Sequence, residues 1–349
     1  MTMRVARTVA REQLAFVELP RPERAPGEVL VRILAVTLCG TDLHIFEDDY
    51  PTELPLVQGH ELAGVVVETD PDRADLRGAR VVIDPVVACG VCHACRAGRP
   101  NVCASLSVLG CYEDGGFAEF VAVPATRVHR VPAGLPTEVA ALAEPTSIAL
   151  QAVTRSRPQP GEIALVLGCG PIGLLAALAL ADRGVIVLAA DTDAVRAATA
   201  RGFGASETFV VAPGFPDAAQ QRTIDELTDH AGPIIVIEAT GVPASLQNAV
   251  RLVASGGRVV QVGISTRTVE LSMTDLPYKE LDLLGSRNSL GLIPQGLDLL
   301  SRHRGAAEQL LTHAFAFDDL ADAFAAMADP AVPTGKIVIR MPLAEAVPA

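Results

Sequence analysis

The sequence predicts an α/β chain of two domains, a barrel-type β-rich domain followed by a doubly wound parallel sheet. Three observations carry this. The chain has 349 residues, enough for more than one core. The first third holds apolar runs with few helical patterns between them. After Pro158-Gln-Pro-Gly161 the texture changes to short, fully apolar strands alternating with helices.

In the first third the strand-like runs fall at 29–36, 62–68, 80–83 and 117–123, separated by turn residues such as Pro26-Gly27 and Gly115-Gly116. In the second region a strand at 163–167 precedes a helix at 172–183, and a strand at 185–190 precedes a helix at 194–201. The series continues with a strand at 234–237, a helix near 244–253 and a strand at 258–262. The expected limits are 1–150 for the β-rich domain and 151–287 for the parallel-sheet domain. The remainder, 288–349, with a helix near 318–328 and a strand at 336–340, is expected to return to the first domain.

Composition narrows the possible partners. Half the residues are hydrophobic, but no apolar run reaches the roughly 20 residues of a membrane span. The net charge of −13 opposes binding to nucleic acid, which needs clustered Lys and Arg. The first residues lack the apolar core of a secretory signal, so a reducing cytoplasm without disulfides is the expectation.

Cys89, Cys92, Cys95 and Cys103 lie in one short loop. Thiolates at this spacing can all turn onto one tetrahedral Zn²⁺, and four of them leave no position for water or substrate. The loop therefore reads as a structural zinc lobe spanning 85–104, with a disulfide pair or an iron–sulfur cluster as the lesser alternatives. His93 could replace one thiolate, but four cysteines suffice. Cys111 and Cys169 are left over and read as packing residues.

Gly168-Cys-Gly170-Pro-Ile-Gly173 follows a buried-strand pattern and opens a helix, the context that gives a G-x-G-x-x-G match its weight. The first glycine permits a tight turn, the second admits a pyrophosphate, and the third lets helix and sheet pack closely. Pro171 suits the first helical position, and the helix start offers free N–H groups to phosphate. Eighteen residues past Gly173 stands Asp191, whose carboxylate can accept both ribose hydroxyls and would repel a 2′-phosphate, so NAD is expected. The bland reading makes Asp191 a helix N-cap. Arg196 nearby keeps NADP as the minority alternative.

A second set of metal-type ligands stands earlier in the chain. Cys39-Gly-Thr41-Asp42-Leu-His44 follows an apolar strand and Gly59-His60-Glu61 precedes another, offering a thiolate, an imidazole and carboxylates from separate elements. A catalytic zinc uses three protein ligands and keeps one position open.

With Asp114-Gly-Gly-Phe117 and Ala143-Glu-Pro145 added, these motifs resemble the zinc-dependent medium-chain dehydrogenases over essentially the whole chain, closest to their polyol, threonine and sugar-acid (galactonate- or gulonate-5-dehydrogenase-like) branch. The resemblance implies a GroES-like catalytic domain and a Rossmann domain. It also implies two zinc ions per chain and a homo-oligomer, tetramer or dimer. It makes Cys39, His60 and Glu144 the catalytic-zinc ligands, with Glu61 beside the metal and able to exchange with its water. Asp42 would hold His60, while Thr41 would take the substrate proton and His44 pass it through the ribose to solvent. On the bland reading Asp42 caps a helix, Thr41 packs and His44 is a surface histidine. For the cofactor it implicates Gly168, Gly170, Pro171, Ile172, Gly173, Asp191, Arg196, Gly263, Ser286 and Arg287. Arg287 could instead meet a substrate hydroxyl or carboxylate, or be a plain surface arginine.

The activity so implied is NAD-linked oxidation of a secondary alcohol of a polyol or sugar acid to the ketone, with L-threonine and sorbitol-like substrates as rivals. Hydride would pass to the nicotinamide in a dry cleft between the domains. A non-catalytic zinc protein that binds nucleotide as a sensor is the rival from another class.

Overall fold

The computed structural model describes residues 1–342; the last seven residues of the expected C-terminal segment lie outside the described residues. The chain divides into two compact units, residues 1–144 with the chain from 293 onward, and residues 145–292. The first boundary falls in the opening turn of the helix Ala143–Ser156, against the expected 150/151, and the second lies five residues beyond the expected 287/288.

In the first unit a seven-stranded sheet is ordered Leu311–Ala316, Lys336–Arg340, Glu28–Thr37, Glu61–Glu68, Arg80–Ile83, Val128–Arg130, with Phe120–Pro124 pairing Glu28–Thr37 as well. The long strand Glu28–Thr37 is the hub because its residues are buried on both faces, and partners hydrogen-bond along both of its edges. The C-terminal strand Lys336–Arg340 joins it antiparallel, with Ile339 opposite Val36, so the end of the chain completes the sheet. The core behind it includes Val31, Ile33, Leu62, Phe117, Phe324 and Ile339. A stacked Phe46–Phe324 pair, with ring centroids 4.5 Å apart, ties the helix Gly40–Phe46 to Leu320–Ala328.

The structure adds a hairpin, Thr2–Ala10 with Gln13–Pro20, that the sequence reading did not include. Its tight turn, Arg11-Glu12, puts Glu12 at a φ of 56° without any glycine, so the usual hairpin signal is missing.

In the second unit six parallel strands are ordered Ala205–Val210, Ile186–Asp191, Ile163–Leu167, Ile235–Glu238, Arg258–Gln261, Asp282–Gly285. In chain order that is 3-2-1-4-5-6, the arrangement of a Rossmann sheet, whose order reverses beside the first strand. Leu165, Leu188, Val236 and Val259 are wholly buried, which explains why these strands read as unbroken apolar runs. The strands Ala205–Val210 and Asp282–Gly285 at the two edges were not in the sequence reading; both are only partly buried and carry polar residues.

Candidate active site

Cys39 ends the turn after Glu28–Thr37 and stands just before the helix Gly40–Phe46, while His60 and Glu61 enter the neighbouring strand Glu61–Glu68. Pairing of these strands, with Thr37 opposite Glu61, brings the candidate ligands together. The donor atoms of Cys39, His60 and Glu61 all lie within 4.8 Å of one another. His60 is held in place by a close backbone approach. Gly59 has a φ of 95°, and a Cβ on either Gly110 or Gly115 would fall 2.4 Å from the Gly59 carbonyl oxygen.

Around this group the buried charges are arranged. Asp42, fully buried, accepts from the backbone N–H of Cys39 at 2.8 Å and of Gly59 at 3.3 Å. Its Oδ1 stands 3.6 Å from His60 Nδ1, beyond hydrogen-bond length, so in this structure it acts on His60 by charge. Gln58, also buried, donates to the Asp42 carbonyl at 2.7 Å and accepts from the Thr8 hydroxyl. Cys111 is more than the packing residue expected of it: its Sγ lies 3.6 Å from His60 Nδ1. Burial would lower the His60 pKa, but Cys111, Asp42 and Cys39 outweigh it and hold the imidazole well above its ordinary value. Burial likewise pushes Glu144 up to about 7, against the favourable charges of His60 and Lys336.

The donor set is therefore short of positive charge, and it offers the sulfur, nitrogen and oxygen ligands that zinc takes. Those residues fit a zinc ion. Glu144 is not within the 4.8 Å group but lies near enough for His60 and Glu61 to act on it.

Lys336, which the sequence reading passed over, is part of this centre. Its ammonium meets the Glu61 carboxylate and donates to the Leu38 carbonyl at 2.9 Å, and the Thr37 hydroxyl donates to the other Glu61 oxygen. Both charged side chains are almost wholly buried, so each neutralises the other. Burial works against the ammonium, but Glu61 and Cys39 leave the Lys336 pKa raised. Only the distant return of the strand Lys336–Arg340 brings this cation in, which is why no local pattern announces it.

Thr41, half-buried, and His44, exposed, stand three residues apart on the helix Gly40–Phe46, a spacing that stacks side chains on one face. His44 Nδ1 lies 2.9 and 3.1 Å from the two Asp49 carboxylate oxygens.

The four cysteines of the lobe form a second group, again within 4.8 Å. Their sulfurs are 3.4 Å apart for Cys89 and Cys103, 3.8 Å for Cys92 and Cys103, and 4.0 Å for Cys89 and Cys95. A tetrahedron with ~2.3 Å metal–sulfur bonds has edges of ~3.8 Å, so the cage fits zinc, whereas a disulfide at ~2.05 Å is far shorter. Backbone N–H groups already point at the sulfurs, Cys92 N–H to Cys89 and Cys89 N–H to Cys103, each at 3.3 Å. N–H groups of Val91 and Cys92 push the Cys89 thiol down to about 6, favouring the thiolate, whereas burial pushes Cys95 up to about 12. The ladder of Val86–Val87 with Ser107–Val108 closes the loop, and His93 opens the short helix His93–Arg96 outside the group.

In the other unit the glycine turn follows the strand Ile163–Leu167 and opens the helix Pro171–Ala181. Gly168 has a φ of 96°, and a Cβ on Gly173 would lie 1.8 Å from the Gly168 oxygen, so the turn tolerates no side chain there. A Cβ on Gly170 would meet nothing within 4 Å, leaving room in front of the N–H groups at the start of the helix, beside Pro171 and Ile172. Asp191 ends its strand with its carboxylate fixed by Cys169 N–H at 2.7 Å and Asp193 N–H at 2.9 Å. The helix cap is Asp193, which accepts from Val195 and Arg196, so the N-cap reading of Asp191 is corrected. Arg196 is exposed.

At the ends of the later strands, Gly263 packs against the backbone of Gly241, Ser286 buries a hydroxyl without a hydrogen-bond partner, and Arg287 is exposed. Glu238, also passed over, is fully buried at the end of its strand and accepts from the Thr240 N–H at 2.8 Å and the Gly241 N–H at 3.2 Å, fixing the loop beside the turn.

Comparison with known proteins gives these features a lineage. Residues 25–133 match the alcohol dehydrogenase GroES-like domain and residues 171–302 the zinc-binding dehydrogenase domain. The chain is 34% identical to L-galactonate-5-dehydrogenase of Escherichia coli K12, over 93% of this chain and 94% of that one. The alcohol dehydrogenase RspB of E. coli CFT073, solved with the cofactor NADH, superposes with a TM-score of 0.88 at 32% identity, covering 97% of this chain and 99% of that one. A zinc-binding dehydrogenase of Sinorhizobium meliloti 1021 bound to NADP gives 0.88 at 30% identity, with coverage of 97% and 99%. With both domains matched and the two halves in this order, the chain belongs to the zinc-dependent medium-chain dehydrogenases, oxidoreductases that act on CH–OH donors.

Proposed function

We propose that this chain is an NAD-linked dehydrogenase that oxidises a secondary alcohol of a polyol or sugar acid to the ketone, with one zinc ion at the catalytic centre and one in the cysteine lobe. The observation that carries the reading is the convergence of a half-buried Cys39 with the buried His60 and Glu61 in an electron-rich group. Cys39, His60 and Glu144 are its proposed zinc ligands, with Glu61 beside them. Zinc, when bound, lowers the pKa of a hydroxyl it touches toward neutrality.

The chain's own residues do the rest. Thr41 takes the substrate proton at its hydroxyl, and His44, at the far end of the relay, releases a proton to solvent; the exposure of His44 suits that last step. Lys336 neutralises the Glu61 carboxylate, which stands beside Cys39 and His60 with its donor atom within 4.8 Å of theirs. Gly168, Gly170 and Gly173 with the start of the helix Pro171–Ala181 hold the pyrophosphate. Asp191 holds the adenosine ribose, and its prepositioned carboxylate favours NAD over NADP. Gly263, Ser286 and Arg287 are assigned to the nicotinamide end.

The substrate class is supported by the match to L-galactonate-5-dehydrogenase. A panel of aldonates, polyols and L-threonine with NAD and with NADP, read by absorbance of the reduced cofactor, tests it. The expected result is turnover of aldonates or polyols with NAD; preference for L-threonine or for NADP would overturn that part of the reading. Cys39→Ser should abolish turnover while NAD binding persists, and a sensor without catalysis would show no turnover in either form.

A further inference from the structure

The end of the helix Gly40–Phe46 is built around His44. Asp48 takes a φ of 56°, and the chain reverses there. The Asp48 N–H bonds the Ile45 carbonyl at 3.1 Å and the Asp49 N–H bonds the His44 carbonyl at 3.0 Å, the two reversed bonds of a Schellman motif. That motif delivers Asp49 back over the residue five positions earlier. Its two carboxylate oxygens then lie 2.9 and 3.1 Å from His44 Nδ1. Glu47, with its carboxylate in the same 4.8 Å group, is the other acid facing the ring. An ionised carboxylate can only accept, so Nδ1 must carry the proton, and a neutral ring then has its lone pair on Nε2.

We propose that Asp49 is a positioning residue that fixes the ring and tautomer of His44, leaving Nε2 as the atom that receives the relayed proton. This rests on the reading of His44 as the end of the proton relay. Asp49 touches neither substrate nor cofactor in this account; it acts through His44. Because the carboxylate is exposed and the backbone bonds of the motif do not need it, Asp49→Ala should fold as the parent does.

The test uses the full-length, metal-loaded protein labelled with ¹⁵N-histidine, with the His44 signals assigned by their loss in His44→Gln. At a pH where the ring is neutral, the parent should show Nδ1 protonated and Nε2 bare, and Asp49→Ala should shift the population toward the opposite tautomer. A parent spectrum with Nε2 protonated, or one that Asp49→Ala leaves unchanged, overturns the proposal. In turnover, Asp49→Ala should lower kcat on the order of tenfold with the KM for NAD unchanged. Asp49→Asn, which keeps an acceptor oxygen, should recover most of that loss. His44→Ala with Asp49→Ala should be no slower than His44→Ala alone, because the two act as one unit; additive losses would contradict this. If His44→Ala has no effect on turnover, the relay reading fails, and the tautomer measurement still decides whether Asp49 sets the ring.

Discussion

The two metal-type centres of the first unit are made by opposite strategies. The lobe draws four identical donors from fifteen residues, Cys89 to Cys103, with backbone N–H groups already aimed at the sulfurs. The centre at Cys39, His60 and Glu61 draws different donors from separate elements, and its charge balance depends on Lys336, some 275 residues from Glu61 in the chain. A saturated cage of like ligands can be local because it has only to hold an ion. An open, unequal centre needs a thiolate, an imidazole, carboxylates and a buried cation at fixed places, and only the completed sheet supplies them together.

That contrast can be broken by substitution. Cys39→Ser should have the largest effect on activity, exceeding the ~100-fold that changes beyond the ligand shell cost, with thermal stability little altered. Cys103→Ser should do the reverse, lowering the melting temperature and the metal content while leaving the KM for NAD in place. If each variant damaged both properties equally, the division of labour would be wrong.

Lys336→Met leaves the Glu61 carboxylate buried without its cation, which costs about 3–5 kcal/mol in the metal-free protein by chemical denaturation. Bound metal should reduce that loss by giving the carboxylate another cation. An equal loss with and without metal would separate Lys336 from the centre. In the other unit, Asp191→Ala should weaken NAD by on the order of 2 kcal/mol, roughly thirtyfold, and narrow the preference against NADP.

A smaller effect comes from pH. Glu144, raised to about 7 by burial, binds its proton more tightly folded than unfolded. Its contribution in the metal-free protein is therefore full below the ordinary carboxylate range and is lost as pH rises through about 7. Glu144→Gln should flatten that slope in urea titrations between pH 5 and 8, and metal loading should do the same.

Much of this was legible in the sequence because the signals are local. The apolar runs of the parallel sheet, the glycine turn and the cysteine spacing each declare themselves within a few residues, and Ile163–Leu167 and Lys336–Arg340 fall where their patterns place them. What escaped lacks a local mark. The N-terminal hairpin turns through Glu12 without glycine. Lys336 sits in a Thr-Gly-Lys run with nothing to show that its ammonium is buried, and Gln58 and Glu238 matter only through what the fold sets beside them. Cys111 was counted as packing because its contact with His60 spans 51 positions. Asp191 and Asp193 illustrate a finer ambiguity: two aspartates in one turn can both cap a helix on paper, and only the backbone directions decide that Asp193 does so and leaves the Asp191 carboxylate to other work.

Most hangs on whether the two centres are separate metal sites with separate work. Metal content by inductively coupled plasma mass spectrometry, on the purified parent and on Cys39→Ser, tests this most directly. Two zinc ions per parent chain and one per Cys39→Ser chain, with the fold retained, is the predicted result. One ion in the folded parent after zinc is supplied, or two retained by the inactive variant, would contradict it.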